Sequence, residues 1–149
     1  NDRRQRQMCI RDRYKYLMQN VLMVDSRDVE ILIENMPPNP WYFGGQWYNT
    51  IFLDPDEIDQ FCRQTGFGMC YDTSHALLQC NYSNYDLNSF TRKIVKHVRH
   101  LHISDASGTT QEGLQLGSGN IDLNHLSCLF CLLLSMYSII SYLFLPVGG

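Results

Sequence analysis

Short apolar segments alternate with segments of helical periodicity through the middle of the chain, and this alternation limits the possible folds most. The predicted elements, in chain order, are a strand over Val29–Glu34, a helix between Asp54 and Gly66, a strand over Phe67–Tyr71, a helix over Leu87–His97 and a strand over Val98–Ile103. Strands that alternate with helices are joined by right-handed crossovers and pair in parallel. The sequence therefore predicts an α/β fold whose parallel sheet is covered on both faces.

The predicted helices have recognisable ends. Asp54 can cap the first helix, and Pro55 fits its first turn. Gly66 supplies the left-handed residue that ends it. A loop through Asn81–Tyr85 is predicted before the second helix, with Asp86 as the cap of that helix.

The composition is that of one globular domain, with 149 residues of which 44% are hydrophobic and 18% are charged. The formal net charge of -3 gives no general attraction to nucleic acid, whose binding faces are usually basic. The six cysteines form no regular framework and lie in or beside apolar segments, which favours buried free thiols in a reducing, cytoplasmic compartment. Cys128 and Cys131 form a C-x-x-C within an apolar run, and we interpret this pair as packing.

Both ends of the chain differ in character from the middle. Gln7–Arg13 (QMCIRDR) looks like the translation of a transposase end sequence used to prepare sequencing libraries, so we interpret residues 1–13 as a scar. A frayed basic segment is the alternative. Leu126–Val147 has no charged residue and is long enough for a membrane span, which takes roughly 20 residues. We favour a misread or frame-shifted end for it, then a membrane anchor, then a buried core helix. The predicted division is 1–13, 14–125 and an apolar tail at 126–149.

Potential metal ligands occur at the ends of all three predicted strands. Glu34 ends the first strand, Asp72 follows the second, and His102 lies at the end of the third. His75 comes one short turn after Asp72. Neighbouring parallel strands lie ~4.8 Å apart, so inward side chains at one level can converge on one ion. Two carboxylates and an imidazole suit a divalent ion such as Mn²⁺, Mg²⁺, Co²⁺ or Zn²⁺.

Each of these residues alone fits an ordinary structural role. Glu34 fits a solvated rim residue, and Asp72–His75 fits an Asx turn in which His75 caps a helix. We interpret His97 and His100 as half-exposed residues without a site role. The metal-site hypothesis is favoured because three ligand types recur at equivalent places in successive strand–helix units, which ordinary rim residues would not do.

Four segments of the chain, in order, carry a resemblance to a known family. They are ILIENMP, GMCYDTSHA, HLHISDA and EGLQLGSGNID. They resemble the second half of xylose-isomerase-like TIM barrels, a superfamily of sugar and sugar-phosphate isomerases and epimerases with an apurinic endonuclease branch. The resemblance covers roughly Gln19–Leu123 and implies a partial (β/α)8 barrel that includes about strands five to seven.

The resemblance also implies roles for the residues at the strand ends. Glu34, Asp72 and His102 would be metal ligands from strands five, six and seven. Glu34 would also act as the catalytic general base. His75 would be a catalytic residue that contacts the substrate.

Further substrate contacts are expected from two loops. Glu112 is expected to contact the substrate and precedes the glycine-rich turn Gly117–Asp122. This turn leads into the next helix, which Asp122 can cap. Trp47 belongs to an aromatic loop that either covers the sugar or simply packs on itself. The aromatic residues of this loop are Trp41, Tyr42, Phe43, Trp47 and Tyr48.

The implied activity is a metal-dependent isomerisation or epimerisation of a sugar or sugar phosphate, in which a divalent ion stabilises an enediolate as a Lewis acid. The alternative is a zinc-dependent apurinic-site endonuclease, although Gln111–Gly113 lacks the histidine of that branch. A non-enzymatic fragment or membrane-tethered module is a third hypothesis. The family's strands one to four and its strand-eight glutamate have no counterpart here, so we expect a fragment that is inactive alone.

Overall fold

The structure is a computed structural model that describes residues 2–24, 27–42 and 44–143. Its helices are α1 (Asp2–Val21), α2 (Pro55–Thr65), α3 (Thr73–Ser83), α4 (Leu87–Ile94) and α5 (Leu123–Leu143), with a short 3₁₀ turn at Val95–His97. Its strands are β1 (Leu32–Glu34), β2 (Trp41–Tyr42), β3 (Gly45–Gln46), β4 (Gly68–Asp72), β5 (Val98–His102), β6 (Asp105–Ser107) and β7 (Gln111–Leu114).

The central sheet consists of β1, β4 and β5, in that order, and both pairs of neighbours are parallel. The α/β fold with a parallel sheet is therefore confirmed, but the prediction that both faces of the sheet are covered is wrong at β5, where His100 and His102 are exposed. Two further pairs, β2 with β3 and β6 with β7, form antiparallel hairpins in segments where the sequence predicts no strand. The predicted order also lacks α3, which occupies the chain between β4 and α4 and extends into the predicted loop at Asn81–Tyr85.

Helix α2 begins and ends at the predicted residues. The Asp54 carboxylate accepts hydrogen bonds from the backbone N–H groups of Asp56 and Glu57, at 2.8 and 3.3 Å. Gly66 follows the helix with a φ of 77°, a left-handed conformation that glycine adopts at little cost. Asp86 likewise caps α4 by accepting from the backbone N–H of Ser89.

One face of the sheet forms the core with the helices. Ile33, Met69, Tyr71 and Val98 point to this face and are at most 7% exposed. The helical residues packed against them include Ile58 and Phe61 of α2, Phe90 and Ile94 of α4, and Leu129 and Leu133 of α5. The opposite face of the sheet, which would line the inside of a closed barrel, carries the candidate site.

The first half of the apolar tail packs on this core. Leu129 and Leu133 of α5 are buried in this core, and Leu126 is buried in a second apolar cluster, the packing expected for the core-helix alternative. The origin of the tail, and the boundaries at 13 and 126, stay predictions; Asn1 and residues 144–149 lie outside the described residues. In the described part of the chain, no helix is long and apolar enough to cross a membrane.

A buried carboxylate joins α2 to the chain before β5. The Asp59 side chain is 3% exposed and contacts three basic side chains. These are Arg63 at 2.9 Å, Lys96 at 2.8 Å and His97 at 2.8 Å. Burial raises the pKa of Asp59, but hydrogen bonds from Lys96 and His97 and the positive charges of Lys96 and Arg63 outweigh it and lower the pKa to about 2. His97 thus contacts a buried carboxylate of α2, and the interpretation that it has no site role stays a prediction.

This carboxylate is expected to make folding stability sensitive to acid. Because its folded pKa of about 2 lies below the ordinary 3.8, Asp59 stabilises the fold above about pH 4 and loses this effect as the pH falls towards 2. We expect the wild-type chain to lose on the order of 2 kcal/mol more unfolding free energy than Asp59→Asn between pH 5 and pH 2. Denaturant unfolding at each pH measures the difference. As a control, Asp56→Asn changes a 73% exposed side chain on the same helix. This variant should show the same slope of unfolding free energy against pH as the wild type. Equal slopes for wild type and Asp59→Asn would contradict the prediction.

Candidate metal centre at the carboxyl edge of the sheet

A bulge in β5 turns its two histidines, His100 and His102, towards the face of the sheet opposite the core, called the open face below. Met69 pairs with Val98, but the next residue, Cys70, pairs with His100, so that Arg99 is an extra residue in β5. In a regular strand, Val98, His100 and His102 would share one face. Here Val98 is buried in the core, whereas His100 and His102 are exposed on the other side. The bulge therefore aims the imidazoles at the site.

The structure brings together the three predicted ligands, Glu34, Asp72 and His102. One potential ligand atom from each lies within 4.8 Å of the other two. His102 Nδ1 lies 2.7 Å from Glu34 Oε1 and 3.8 Å from Asp72 Oδ2. Since these residues end β1, β4 and β5, three neighbouring parallel strands build the cluster at their carboxyl edge. Metal binding by this cluster stays a prediction.

Asp72 divides its two oxygens between structure and the cluster. Oδ1 accepts hydrogen bonds from the His75 backbone N–H at 3.0 Å and the Ser74 hydroxyl at 2.8 Å, and so caps α3. Oδ2 faces the imidazoles of His102 and His75, at 3.8 and 3.9 Å. A helix cap is therefore present, as in the structural alternative, but the capping residue is Asp72 and not His75. Capping fixes the carboxylate in place and leaves Oδ2 available to a ligand.

Asn35 connects the ends of β1 and β4, a role that the sequence does not predict. Its side chain, 1% exposed, donates to the Asp72 carbonyl at 2.9 Å and accepts from the Asp72 N–H at 2.8 Å. Its own backbone carbonyl lies 2.9 Å from His75 Nδ1. A carbonyl only accepts, so Nδ1 carries the proton, and neutral His75 has its lone pair on Nε2. The sequence feature that could have indicated this role is the position of Asn35, an amide residue directly after Glu34 at the end of a predicted strand.

His75 Nε2 faces the Glu112 carboxylate, which comes from the β6–β7 hairpin. The distance from Nε2 to Glu112 Oε2 is 3.6 Å, and the two side chains are 18% and 34% exposed. Both residues therefore border the cluster and remain accessible to a small molecule. Their proposed contacts with substrate stay predictions.

Trp47 is not brought to the cluster by any hydrogen bond or ion pair among the described residues. Its side chain is 63% exposed, and that of Trp41 is 66% exposed. Phe43 and the Tyr42 side chain lie outside the described residues. A covering role for this aromatic loop stays a prediction.

Asp105 anchors the glycine-rich turn that precedes α5, another role that the sequence does not reveal. Its buried carboxylate accepts four backbone N–H groups at 2.8–3.0 Å, from Ala106, Gly117, Gly119 and Ile121. Burial raises the pKa of Asp105, but these hydrogen bonds outweigh it and lower the pKa below the ordinary value. A Cβ on Gly119 would overlap the Asp105 carboxylate and the Ala106 carbonyl, so this close approach requires glycine.

Cys70 lies on the same face of the sheet, between the metal cluster and His100. It pairs with Glu34 on one side and with His100 on the other. Burial, followed by the negative charges of Glu34 and Asp72, raises the pKa of the Cys70 thiol to about 11. The five cysteines whose side chains are described, Cys62, Cys70, Cys80, Cys128 and Cys131, are free, and the first three are buried.

Comparison with known proteins agrees with this architecture. Residues 2–127 match the family model for the xylose isomerase-like TIM barrel. A solved structure described as a D-tagatose 3-epimerase-like protein superposes with a TM-score of 0.56 at 20% identity, over 89% of this chain and 44% of that chain. At this identity the likeness concerns the fold, and the chain spans less than half the length of that protein. Comparison with curated proteins finds no match. The match over most of its length shows that this chain belongs to the xylose isomerase-like TIM barrel family, of which it forms a partial barrel.

Proposed function

We propose that the chain carries the metal-binding and proton-abstracting part of a sugar or sugar-phosphate isomerase or epimerase. One observation carries this proposal: Glu34, Asp72 and His102 converge at the carboxyl edge of three parallel strands, the edge at which α/β barrels place their active sites. The likeness in fold to an epimerase-like protein is consistent with it.

The donor set fits a divalent ion. Two carboxylates and one imidazole match ions of hard or borderline character, such as Mn²⁺, Mg²⁺, Co²⁺ or Zn²⁺. The 2.7 Å contact between His102 Nδ1 and Glu34 Oε1 places two of the donor atoms side by side, and an ion would take the place of the proton between them, which would pass to solvent. The cap of α3 holds Asp72 in position. When bound, such an ion would polarise the carbonyl and hydroxyl oxygens of a sugar as a Lewis acid.

Glu34 is the residue proposed to move the proton. Its Oε1 contacts His102, which leaves Oε2 to accept a proton from the carbon next to the substrate carbonyl. At 33% exposure, the side chain is both reachable by substrate and held by its neighbours. Exchange results when the protonated carboxyl group swaps its proton with solvent and returns a solvent proton to the same carbon. Isomerisation results when the proton is delivered to the former carbonyl carbon and the hydroxyl proton passes to the former carbonyl oxygen.

His75 and Glu112 are proposed to orient the sugar. The Asn35 carbonyl fixes the tautomer of His75, so that Nε2 accepts a hydrogen bond from a substrate hydroxyl. Glu112 can accept from an adjacent hydroxyl, because it lies 3.6 Å from the same nitrogen. Neighbouring acceptors at this spacing suit the vicinal hydroxyl groups of a sugar.

The apurinic-site endonuclease is the weaker hypothesis. A phosphodiester would meet the Glu112 carboxylate beside His75, and the formal net charge of the chain is -3. Both features oppose the approach of a polyanion, whose binding depends on neutralising phosphates with basic groups.

Solvent exchange tests the proposal. The chain, loaded with Mn²⁺, is incubated in D₂O with a panel of ketoses and ketose phosphates, and NMR follows deuterium at the carbon next to the carbonyl. We expect incorporation that depends on Mn²⁺ and stops after chelation. Glu34 works on one face of the substrate, so exchange at that face should exceed epimer formation. Absence of exchange with all substrates, at full Mn²⁺ occupancy, would refute the proposal.

A further inference from the structure

We propose that Cys70, His100 and His102 form a second cation site, which binds a borderline transition ion such as Zn²⁺ or Co²⁺ in preference to Mg²⁺. The site shares His102 with the cluster described above, but it uses neither carboxylate. It lies between β4 and β5 on the face of the sheet opposite the core. Its evidence does not depend on the proposed isomerase function, although an ion bound here would compete with the carboxylate cluster for His102.

The register of the sheet places these donors together. Cys70 is the direct partner of His100, and His102 follows two residues later on the same face. One ligand atom from each residue lies within 4.8 Å of the other two. The arrangement depends on the bulge at Arg99, because a regular β5 would turn both imidazoles towards the core beside Val98.

The distances allow coordination with small side-chain adjustments. Zinc binds thiolate sulfur at roughly 2.3 Å and imidazole nitrogen at roughly 2.0–2.1 Å, which puts two tetrahedral ligands about 3.5 Å apart. The present separations of up to 4.8 Å must therefore close by about 1 Å. His100 and His102 are exposed and can rotate, whereas Cys70 is buried and fixed. Three protein ligands leave the fourth position of a tetrahedral ion open.

The donor types determine which ion is preferred. A thiolate and two imidazoles are softer ligands than the carboxylate-rich cluster, and they favour Zn²⁺ and Co²⁺ over the hard ions Mg²⁺ and Ca²⁺. Binding converts the Cys70 thiol to a thiolate, and its proton passes to solvent. Among the described residues, the other four cysteines belong to no comparable group of ligands, so Cys70 is distinguished by its two histidine neighbours.

Cobalt titration of the full 149-residue chain tests the site directly, because a thiolate bound to Co²⁺ produces a charge-transfer absorption band in the near ultraviolet. We expect this band in the wild-type chain, with displacement by Zn²⁺ and no displacement by excess Mg²⁺. Cys70→Ser should abolish the band. His100→Asn should weaken Co²⁺ binding by roughly 10–100-fold or more, since loss of even an outer partner of a ligand costs this much.

Two control variants separate this site from Co²⁺ binding elsewhere on the chain. Cys131→Ser removes an exposed thiol of α5 and should keep the band. Glu34→Gln should also keep the band, because the carboxylate cluster does not contribute sulfur. Circular dichroism checks that Cys70→Ser is folded, and if it is not, the exposed His100→Asn decides. A band that persists in Cys70→Ser, a Co²⁺ affinity unchanged in His100→Asn, or no band in the folded wild type would overturn the proposal. None of these outcomes bears on deuterium exchange, so the two proposals fail separately.

Discussion

Replacement of Asp105 by alanine is expected to lower the free energy of unfolding by about 3–5 kcal/mol. The carboxylate accepts four backbone N–H groups, and its loss leaves them without their partner. Those of Ala106 and Ile121 belong to buried residues, where water is a poor substitute, and an unsatisfied buried donor costs about 1–3 kcal/mol. The two glycine N–H groups lie nearer the surface and should contribute less.

Denaturant unfolding measures this loss, and two variants provide the comparison. Asp105→Asn keeps an acceptor oxygen but turns an NH₂ group towards backbone donors, so we expect an intermediate loss. Asp122→Ala removes an exposed aspartate that caps α5 through the Asn124 N–H, at 2.9 Å, and should cost only about 1 kcal/mol. If Asp105→Ala were no more destabilising than Asp122→Ala, the buried carboxylate would not be the anchor of this turn.

The Asp105→Ala substitution should also disturb the candidate site. Asp105 begins β6, which pairs with the strand that carries Glu112. Because Glu112 lies 3.6 Å from His75, loosening of the hairpin would displace one of the two acceptors proposed to orient the sugar. Stability and site geometry are thus coupled through one buried carboxylate.

The strand order and the positions of the ligands could be predicted because they depend on local patterns. Apolar runs separated by crossover helices leave few arrangements other than a parallel sheet, and parallel strands end at one edge. Glu34, Asp72 and His102 are therefore expected at this edge from their positions alone. The caps at Asp54 and Asp86 are equally local, since a capping side chain bonds to residues two or three positions later.

The bulge in β5 could not be predicted, because it depends on pairing with a distant strand. Strict alternation from the core residue Val98 places His100 and His102 on the core side. The extra residue Arg99 reverses this, and it is defined only by the register with Met69 and Cys70. The pairing of Cys70 with His100 likewise depends on the register between two strands that are distant in the sequence.

Other features escape prediction for a related reason. Asn35 bonds to Asp72, 37 residues away, and nothing in its immediate sequence identifies the partner. The hairpin of β6 and β7 has short, polar strands without the apolar alternation that signals a strand. Helix α3 is not predicted because its apolar residues do not lie in one stripe at helical spacing. They are divided between two apolar clusters on different sides of the helix.

The largest effect on chemistry is expected from Glu34→Gln. An amide cannot accept the substrate proton, so deuterium exchange should fall by roughly 10²–10⁴-fold, the usual contribution of a positioned general base. The glutamine oxygen can still accept the hydrogen bond from His102, which lies 2.7 Å from Glu34 Oε1 in the wild type, so the fold should be preserved. NMR of the exchanging carbon measures the rate, at Mn²⁺ concentrations that saturate each variant.

Saturating Mn²⁺ is essential because Glu34 is proposed both to bind the ion and to move the proton. Asp72→Asn separates the two roles: it should weaken Mn²⁺ binding and recover much of the exchange when excess ion is supplied, since the base is intact. Glu30→Gln alters an exposed glutamate four residues earlier and should leave exchange unchanged. Wild-type exchange in Glu34→Gln at full occupancy would show that another group removes the proton. If excess Mn²⁺ restored deuterium exchange equally in Glu34→Gln and Asp72→Asn, Glu34 would act only as a metal ligand and not as the base.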